Sequence, residues 1–372
     1  MLIGVPKEIK NHEYRVGLTP SSVRELVEHG HQVLVERKAG FEIDLGDEKY
    51  EAVGAKIVDT PEEIFSAADM IVKVKEPQAA ELAMLREDQV LFTYLHLAPD
   101  PQQAKGLMES GSVAIAYETV SDDQGRLPLL APMSEVAGRM AIQAGAHALE
   151  MNQGGRGTLL GGVPGVASAK VTVIGGGVVG TNGARMAMGM EAHVTVLDKS
   201  VQRLQELDFQ FGSKLNTVFS TRQNLEEHVL EADLVVGAVL VPGAAAPKLV
   251  DRGMVRQMQR GSVLVDVAID QGGCFETSRP TTHADPIYAV DEVVHYCVAN
   301  MPGAVARTST LALNNVTLPF VLALADKGYR KALADDPHLL AGLNVCRGKL
   351  TYEAVARELG ETYVTAADAL AA

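Results

Sequence analysis

The sequence predicts an α/β protein with two domains, each built on a parallel sheet that is covered by helices on both faces. Short apolar runs typical of strands alternate with amphipathic segments typical of helices, first in the opening third of the chain and again from Lys170. The chain has 372 residues, of which 47% are hydrophobic and 22% charged. At about 100–200 residues per domain, this length favours two domains over one.

The first domain alternates strand and helix patterns. The predicted strands are LIGVP, HQVLVE, DMIVKVKEP, QVLFTYLH and SVAIAYET, and helices are predicted in PEEIFSAA, QAAELAMLRE and DPQQAKGLMESG. Another helix begins at Thr19-Pro20, a capping residue followed by proline at the first helical position. In DMIVKVKEP, a strand would place the ammonium groups of Lys73 and Lys75 on one face. Because burying an unpaired ammonium is costly, we expect Lys73 to have a carboxylate partner inside the protein.

The second domain follows a long predicted helix, residues 133–152, which Ser134 opens. After a glycine-rich stretch, strands are predicted in KVTVIG, AHVTVLD, ADLVVGAVL, GSVLVDVAID and IYAVDEVVHYCVAN. Past residue 303 the pattern predicts helices to the end of the sequence, and we expect these helices to return to the first domain. The predicted domains are therefore 1–128 with 307–372, and 129–306.

Charge and composition exclude several classes of function. The formal net charge of −14 disfavours nucleic acid and anionic membranes as partners, although a local basic pocket could still take an anionic small molecule. The N-terminal residues do not resemble a signal peptide, and no uninterrupted apolar stretch approaches a bilayer-spanning length of about 18 residues. Cys274, Cys297 and Cys346 form no CxxC pattern, which favours a reducing cytoplasm. No cluster of side chains has the spacing of metal ligands, so we expect no metal site.

A glycine-rich motif predicts a dinucleotide site in the second domain. Gly175, Gly177 and Gly180 form GxGxxG between a predicted strand and a predicted helix, and the next strand ends in Asp198. The first glycine allows a tight turn, the second lets the backbone approach a pyrophosphate, and the third lets helix and strand pack closely. Asp198 would accept hydrogen bonds from ribose hydroxyls and would repel a 2′-phosphate. This favours NAD over NADP, although Arg203, one helical turn further, could partly offset the repulsion.

Polar side chains also follow several predicted strands at their carboxyl ends, where open α/β sheets bind ligands. Lys75, His96 and Asp270 end their strands, Asn300 follows HYCVA, and Arg15 lies in the loop after the first strand. Each of them alone has an ordinary structural explanation, such as a snorkelling lysine or an aspartate that starts a turn. Together, beside a dinucleotide motif, they indicate a site with cationic groups, an imidazole, a carboxylate and an amide.

Several long stretches resemble the alanine dehydrogenase family. They are VPKEIKNHEYRVGLTP, KVKEP, LFTYLHLA, LPLLAPMSEVAGRMA, NQGGRGTLLGGVPGV, GAVLVPGAAAPKLV, DVAIDQGGCFETSRPTT and CVANMPGAVARTST. The resemblance covers essentially the whole chain. It implies two doubly wound, Rossmann-like domains, with an NAD-binding domain inserted into a substrate-binding one, and a cytoplasmic homohexamer that acts on small molecules.

The resemblance assigns roles residue by residue. Arg15 and Lys75 match the positions that hold the substrate carboxylate, His96 matches the proton donor and acceptor, and Asp270 matches the second catalytic residue. The remaining matches are nucleotide-contacting positions, which comprise the three glycines of the motif, Ser134, Val178, Val179, Asp198, Arg203, Ser220, Val239, Leu240, Val267, Ala268, Ile269, Asp270 itself, Arg279, Val298, Ala299, Asn300 and Met301.

The reaction that the resemblance implies is the reversible conversion of L-alanine, NAD and water to pyruvate, ammonium and NADH. His96 suits the proton transfers because an imidazole gains and loses a proton near neutral pH. Asp270 would orient water or stabilise cationic groups, and it could instead be the main base. Three other functions are possible, and one of them, a non-catalytic NAD-binding protein, is disfavoured by the intact site. A saccharopine dehydrogenase is disfavoured by the long matches. The nucleotide-binding subunit of a proton-translocating transhydrogenase would not need Arg15, Lys75 and His96.

Overall fold

The computed structural model describes residues 1–239 and 246–371, in which strands and helices alternate along most of the chain. The strands are β1 (Leu2–Val5), β2 (Gln32–Glu36), β3 (Lys56–Val58), β4 (Met70–Val72), β5 (Val90–Thr93), β6 (Val113–Ala116), β7 (Lys170–Ile174), β8 (His193–Asp198), β9 (Leu215–Phe219), β10 (Leu234–Gly237), β11 (Val263–Asp266), β12 (Ile287–Val290), β13 (Val293–Tyr296), β14 (Leu343–Cys346) and β15 (Lys349–Leu350).

The helices lie mainly between successive strands. They are α1 (Pro20–Glu28), α2 (Asp47–Glu51), α3 (Pro61–Ala67), α4 (Ala79–Leu82), α5 (Pro101–Ser110), α6 (Ala131–Ala148), α7 (Val178–Gly189), α8 (Val201–Phe211), α9 (Arg222–Glu231), α10 (Arg252–Gln257), α11 (Ala306–Lys327), α12 (Tyr329–Asp335), α13 (Pro337–Leu340), α14 (Glu353–Leu359) and α15 (Ala366–Ala371).

The chain divides into two compact units. Unit 1 contains Met1–Pro132 and the chain from Val305 onward, and unit 2 contains Met133–Ala304. Each unit has its own sheet and its own hydrophobic core, as the α/β pattern of the sequence predicts.

Unit 1 is built on an eight-stranded sheet with the order β15-β14-β6-β5-β4-β1-β2-β3. The strands from β1 to β6 are parallel, whereas β14 and β15 add an antiparallel edge. Residues Ile64 and Phe65 of α3 pack with Ile71 and Leu91 in the core beneath the sheet. Burying strands on both faces explains their nearly continuous apolar sequences.

Helix starts in unit 1 follow the capping rules that the sequence suggested. Thr19 and Thr60 accept backbone N–H bonds from the first turns of α1 and α3, and Asp100 does the same for α5. A proline follows each of these caps at the first helical position, where its missing N–H costs nothing. The predicted start of α1 at Thr19-Pro20 is therefore confirmed.

Unit 2 is built on a seven-stranded sheet with the order β12-β13-β11-β10-β7-β8-β9. All strands except β12 run parallel, and β12 pairs with β13 in an antiparallel hairpin. The hairpin turns at Asp291 and Glu292, which both have positive φ angles, as a two-residue turn between twisted strands requires. The chain order of the strands reverses at β7, so β7 lies at the switch point where α/β sheets bind nucleotides.

Several local predictions differ from the structure. His96 and Asp270 were predicted to end their strands, but β5 ends at Thr93 and β11 ends at Asp266. The predicted strand DMIVKVKEP ends at Val72, so Lys73 and Lys75 lie in the segment that follows β4. The predicted helix 133–152 begins at Ala131 and ends at Ala148, which places Ser134 inside its first turn instead of at its cap. The prediction of helices alone past residue 303 was wrong, because β14 and β15 interrupt them and extend the sheet of unit 1.

One helix among the described residues, Met301–Lys327, is long and apolar enough to cross a membrane on length and composition alone. Core helices of soluble proteins meet the same criterion, and 44% of this apolar window is buried. Asn314 accepts hydrogen bonds from the backbone N–H of Thr19 and the hydroxyl of Ser22, at 2.8 Å each. These contacts pack α11 against α1 inside unit 1.

Candidate active site

The residues that the sequence assigned to the substrate lie at one edge of the unit 1 sheet. Arg15 follows β1, Lys75 follows β4 and His96 follows β5, and these three strands are neighbours. Since the carboxyl ends of parallel strands meet at the same edge, the fold brings the three side chains to one region. The loop after β1 lies directly against β4, because a side chain at Gly17 would overlap the carbonyl group of Val72.

Arg15 is held in a buried ion pair with Glu13. The Arg15 Nε atom donates to Glu13 Oε1 at 2.7 Å, and Nη2 donates to Oε2 at 2.6 Å. Burial alone would lower the pKa of Arg15, but the Glu13 carboxylate outweighs this effect and raises the pKa above its ordinary value. Two parallel bonds to one carboxylate fix the plane of the guanidinium and keep its charge.

Lys75 lies beside a carboxylate but is not tightly bonded to it. Its Nζ atom is 3.7 Å from Glu76 Oε2, too far for a hydrogen bond. Within the described chain, Glu76 Oε2 is buried without a hydrogen-bond partner, whereas Oε1 accepts a bond from Lys10. Although burial opposes it, the attraction of Lys75 and Lys10 lowers the pKa of Glu76. A substrate carboxylate that approached Lys75 would therefore meet an ammonium group that is not hydrogen bonded to Glu76.

His96 has a constrained backbone that Glu118 stabilises. Its φ angle is 50°, in the left-handed region that side chains other than glycine seldom adopt. The backbone N–H of His96 donates to Glu118 Oε1 at 2.6 Å, and the N–H of Leu95 donates to the same carboxylate at 3.2 Å. The imidazole stacks on Tyr94, with ring centroids 5.8 Å apart. Tyr94 in turn donates its hydroxyl hydrogen to the carbonyl of Leu129 at 2.6 Å.

Lys73 has two carboxylate partners, which confirms the expectation of an internal one. Its side chain is fully buried, and Nζ donates to Glu8 Oε2 at 3.0 Å and to Glu81 Oε1 at 2.7 Å. Burial alone would lower the pKa of Lys73, but the two carboxylates raise it above its ordinary value. Burial raises the pKa of Glu8, with Lys73 opposing this effect. Lys73, Glu8 and Glu81 thus form a buried cluster of charges, and Glu8 also accepts the backbone N–H of Lys75.

In unit 2 the glycine motif forms the predicted turn between β7 and α7. Gly175 has a φ angle of 100°, which only glycine adopts without strain. A side chain at Gly180 would overlap the carbonyl oxygen of Gly175, so this glycine is required for the turn itself. A side chain at Gly177 would meet no protein atom within 4 Å. The open space beside Gly177 and the first N–H groups of α7 fit a pyrophosphate.

Asp198 ends β8 next to this turn. Its Oδ2 accepts the N–H of Gly176 at 2.7 Å, and its Oδ1 accepts the N–H of Ser200 at 2.8 Å. Arg203 donates to the carbonyl oxygen of Gly176 at 2.6 Å and to the hydroxyl of Thr181 at 2.7 Å. The Asp198 carboxylate and the Arg203 guanidinium therefore both hold Gly176 in the glycine turn, through its N–H and its carbonyl oxygen. Each carboxylate oxygen retains a further lone pair for a ribose hydroxyl.

Asp270 lies in a short 3-10 helix, Val267–Gln271, directly after β11. Asp266 caps this helix by accepting the N–H of Ala268 at 3.1 Å. The same buried carboxylate accepts the N–H of Cys274 at 2.9 Å and the hydroxyl of Ser278 at 2.5 Å. Burial raises the pKa of Asp266, and these donors oppose the effect. Asp266 thus connects both sides of the loop that carries Asp270.

The other predicted nucleotide positions are distributed along the same edge of unit 2. Arg279 stacks on the ring of Tyr288, with its guanidinium carbon 4.0 Å from the ring centroid, and its backbone N–H donates to the tyrosine oxygen. Asn300 has a positive φ angle of 66°. The remaining positions lie in the first turn of α6 (Ser134), in the first turn of α7 (Val178 and Val179), after β9 (Ser220), after β10 (Val239), and after β13 (Val298, Ala299 and Met301). Leu240 lies outside the described residues.

Comparison with known proteins agrees with these features. The profile described as "Alanine dehydrogenase/PNT, N-terminal domain" matches residues 4–137, and that described as "Alanine dehydrogenase/PNT, C-terminal domain" matches residues 141–353. The chain is 65% identical to an alanine dehydrogenase from Halomonas elongata, over 99% of each chain. It is 57% identical to an alanine dehydrogenase from Bacillus subtilis, over 100% of this chain and 98% of that relative.

This chain belongs to the alanine dehydrogenase/PNT family. A solved L-alanine dehydrogenase superposes on it with a TM-score of 0.94 at 53% identity, covering 97% of this chain and 99% of the other. A transhydrogenase from Sinorhizobium meliloti has a TM-score of 0.84 at 23% identity, covering 94% of this chain and 100% of the other. At that identity the likeness to transhydrogenase shows a shared fold alone.

Several residues that support this alanine dehydrogenase/PNT site were missed by sequence reasoning. They are carboxylates that hold other site residues, namely Glu8, Glu13, Glu118 and Asp266. Glu118 and Asp266 also lie at or just after strand ends, so the rule that selected Lys75 and His96 could have found them. Among the described residues no group of three or more His, Cys, Asp or Glu side chains could hold a metal ion.

Proposed function

We propose that the protein catalyses the reversible oxidative deamination of L-alanine with NAD: L-alanine, NAD⁺ and water give pyruvate, ammonium, NADH and a proton. The protein is an oxidoreductase of a family that uses a nicotinamide cofactor, and relatives of 65% and 57% identity are alanine dehydrogenases over their full length. The observation that carries the proposal is the set of Arg15, Lys75 and His96 at adjacent strand ends of unit 1. Hydride exchange between two nucleotides would not require this set.

We assign the two roles to two domains. Residues 1–128 and 307–372 bind the substrate, and residues 129–306 bind the cofactor. The choice of NAD over NADP rests on Asp198, whose carboxylate lies beside the glycine turn and would repel a 2′-phosphate. When NAD is bound, it accepts a hydride from the α-carbon of the substrate.

The substrate carboxylate is bound by Arg15 and Lys75. Glu13 fixes the plane of the Arg15 guanidinium and keeps its positive charge, which attracts the substrate carboxylate. Lys75 contributes a point charge. Its Nζ atom lies 3.7 Å from Glu76 Oε2 and is not hydrogen bonded to it. Fixing the carboxylate at these two cations orients the α-carbon and the amino group for reaction.

The proton transfers are carried out by His96 and Asp270. The substrate amine must lose a proton as the hydride leaves, which gives an iminium ion. Water then adds to form a carbinolamine, which collapses to pyruvate and ammonia. His96 accepts and returns these protons, while Glu118 bonds its backbone N–H and Tyr94 stacks on its imidazole. Asp270 orients the water or stabilises the cationic intermediates. In an alternative division of roles, Asp270 is the main base.

The assignment is tested by His96→Ala and Asp270→Ala, assayed by NADH absorbance with pyruvate plus ammonium and by NADH fluorescence for binding. Both variants are expected to lose at least about 100-fold in kcat, because general acid–base groups contribute about 10²–10⁴-fold, and to bind NADH normally. His193→Ala, at an exposed position of unit 2, is the control and should keep full activity. Near-normal alanine oxidation in a protein lacking both groups would refute these two catalytic roles.

A transhydrogenase function is distinguished by the substrate. NADH oxidation that depends on both pyruvate and ammonium supports an alanine dehydrogenase, whereas hydride exchange between two nucleotides without pyruvate would contradict it.

On the basis of the family resemblance we also propose a cytoplasmic homohexamer. Light scattering coupled to size-exclusion chromatography would measure its mass, and the calculated mass of one chain is 39.6 kDa.

A further inference from the structure

The buried cluster of Lys73, Glu8 and Glu81 has no part in the proposed chemistry of the substrate. The exposed fractions of the three residues are 0%, 6% and 2%. A buried ion cluster is weak evidence for stability, because desolvating the charges offsets most of their attraction. The cluster contacts the backbone of Lys75, which suggests a different role.

Glu8 contacts the backbone of Lys75 as well as the ammonium of Lys73. Its Oε1 atom accepts the N–H of Val74 at 2.7 Å and the N–H of Lys75 at 3.2 Å, while Oε2 accepts from Lys73 Nζ at 3.0 Å. These two N–H groups lie just past the end of β4, where the sheet no longer provides partners. One carboxylate therefore takes over the hydrogen bonding of the strand at the point where Lys75 leaves it.

The other backbone groups of this segment are also satisfied. The N–H of Lys73 donates to the carbonyl of Phe92 at 3.2 Å, and its carbonyl accepts from the hydroxyl of Tyr117 at 3.0 Å. The carbonyl of Lys75 accepts from the hydroxyl of Thr93 at 3.0 Å. The segment is thus held by β5 and by Tyr117, which follows β6, and Glu8 provides its contact to the loop that follows β1.

We propose that Glu8 is a positioning residue for substrate binding, which fixes the backbone of Lys75 so that its ammonium meets the substrate carboxylate. Lys73 fixes Glu8 in turn, because a buried carboxylate with one oxygen on an ammonium and the other on two N–H groups has a single orientation. This inference rests on the proposed role of Lys75 as a carboxylate-binding residue. It also gives Lys73 a purpose that its burial alone did not explain.

Glu81 provides a matched control within the same cluster. It is equally buried and also bonds Lys73 Nζ, at 2.7 Å, but its second oxygen accepts the N–H of Gln78, the N-cap residue of α4, and not that of Lys75. Glu8→Ala and Glu81→Ala each remove one carboxylate partner of the Lys73 ammonium, so both are expected to lower the melting temperature. Only Glu8→Ala removes the bonds to the Lys75 backbone.

The experiment measures kcat, the Michaelis constant for pyruvate and the dissociation constant for NADH. In Glu8→Ala we expect the Michaelis constant for pyruvate to rise about tenfold, equivalent to about 1.4 kcal/mol, with kcat within about threefold and NADH binding unchanged. In Glu81→Ala all three constants are expected to stay within about threefold of those of the unmodified protein. An equal rise of the Michaelis constant in both variants, or no rise in Glu8→Ala, would overturn the inference.

Two further variants separate position from charge and remain informative if Glu8→Ala does not fold. Glu8→Gln keeps an oxygen that can accept both N–H groups but presents an amide N–H group to Lys73 in place of the charge, so it should raise the Michaelis constant for pyruvate less than Glu8→Ala does. Glu8→Asp keeps the charge but withdraws the carboxylate by one methylene, and it should raise this constant. The reverse pattern would show that only charge balance matters and would overturn the inference.

Lys75→Met distinguishes a failure of this inference from a failure of the proposed function. If Lys75→Met leaves the Michaelis constant for pyruvate unchanged, Lys75 does not bind the substrate and both statements are wrong. If Lys75→Met raises the constant and Glu8→Ala does not, the proposed role of Lys75 stands and only the positioning role of Glu8 is wrong.

Discussion

Arg15 and Glu13 form an ion pair that is almost fully buried in unit 1, with side-chain exposures of 2% and 0%. Removing one partner of a buried pair typically costs about 3–5 kcal/mol, because the other charge stays buried. We expect Arg15→Ala to lower the free energy of unfolding by about this amount and to raise the Michaelis constant for pyruvate. Urea unfolding and steady-state kinetics measure the two effects.

Arg24→Ala is the control for this prediction. Arg24 pairs with Glu28 on the exposed face of α1, where solvent screens the attraction, so neither stability nor kinetics should change noticeably. An unaltered Michaelis constant for pyruvate in folded Arg15→Ala would rule out Arg15 as a binding residue for the substrate carboxylate.

The preference between NAD and NADP depends on Asp198 at the end of β8. Asp198→Ser removes the charge that would repel a 2′-phosphate, and it weakens the bond to the N–H of Gly176. We expect kcat/KM for NADH to fall about tenfold and kcat/KM for NADPH to rise, since single bonds to charged groups are worth about 1.5–3 kcal/mol. Asp208→Ser, on the exposed face of α8, should change neither value. Unchanged discrimination in Asp198→Ser would mean that other groups select the cofactor.

At the residue scale, sequence reasoning predicted the candidate ligand-binding side chains, but it missed the carboxylates that hold those side chains in place. Lys75, His96 and Asp270 were predicted because each stands near a strand end, which is a local property of the sequence. Glu8 was not predicted as the partner of Lys73, because the two residues are separated by 65 positions and meet only when β1 and β4 pair. The carboxylate that Lys73 needs was predictable from electrostatics, but its identity was not.

At the element scale, two glycines of the turn between β7 and α7 meet different requirements: Gly180 is needed for folding and Gly177 for binding the cofactor. Gly180→Ala would overlap the Gly175 carbonyl oxygen, so we expect it to distort the turn and lower the melting temperature. Gly177→Ala meets no protein atom within 4 Å, so it should fold normally yet lose at least about tenfold in NADH affinity by blocking the pyrophosphate. Thermal melting and fluorescence titration separate the two effects.

Gly189→Ala is the control for these glycine variants, because it lies at the end of the same helix with open space around it. It should bind NADH normally and be slightly stabilised by the smaller loss of backbone entropy. Normal NADH binding by Gly177→Ala would contradict the predicted path of the pyrophosphate.

The strand and helix pattern was predictable where each element satisfies a local rule. The buried parallel strands have apolar runs, and α1, α3 and α5 each start with a capping residue and proline. β14 and β15 were missed because they are short and follow a long helical region, and the pairing of β14 with β6 is a contact distant in sequence. Antiparallel edge strands of this kind are fixed by tertiary packing more than by propensity.

At the scale of the whole molecule, a buried histidine of unit 2 links stability to pH. His295 is fully buried, and burial lowers its pKa from 6.5. Below about pH 6.5 the unfolded chain binds a proton that the folded chain does not, so stability is lost as the pH falls from there toward the folded pKa. The slope from this one group is at most about 1.4 kcal/mol per pH unit.

His295→Gln cannot take up this proton, and its amide oxygen can still accept the hydroxyl of Thr277, which now bonds His295 Nε2 at 2.7 Å. Urea unfolding between about pH 5 and 7 should therefore show a smaller pH dependence in His295→Gln than in the unmodified protein. His193→Gln, at an exposed site, should keep the original dependence. Equal slopes in all three proteins would show that His295 does not contribute.

The sheet of unit 1 is assembled from two distant parts of the chain, since β14 covers the edge of β6 only after all of unit 2 has intervened. On the ribosome, β6 therefore emerges long before the strand that will cover it. During that interval the edge of β6 in the nascent chain presents a row of unpaired backbone groups. Chaperones, or β6 of a neighbouring nascent chain, have their opportunity to bind at this edge until Leu343–Cys346 leaves the exit tunnel.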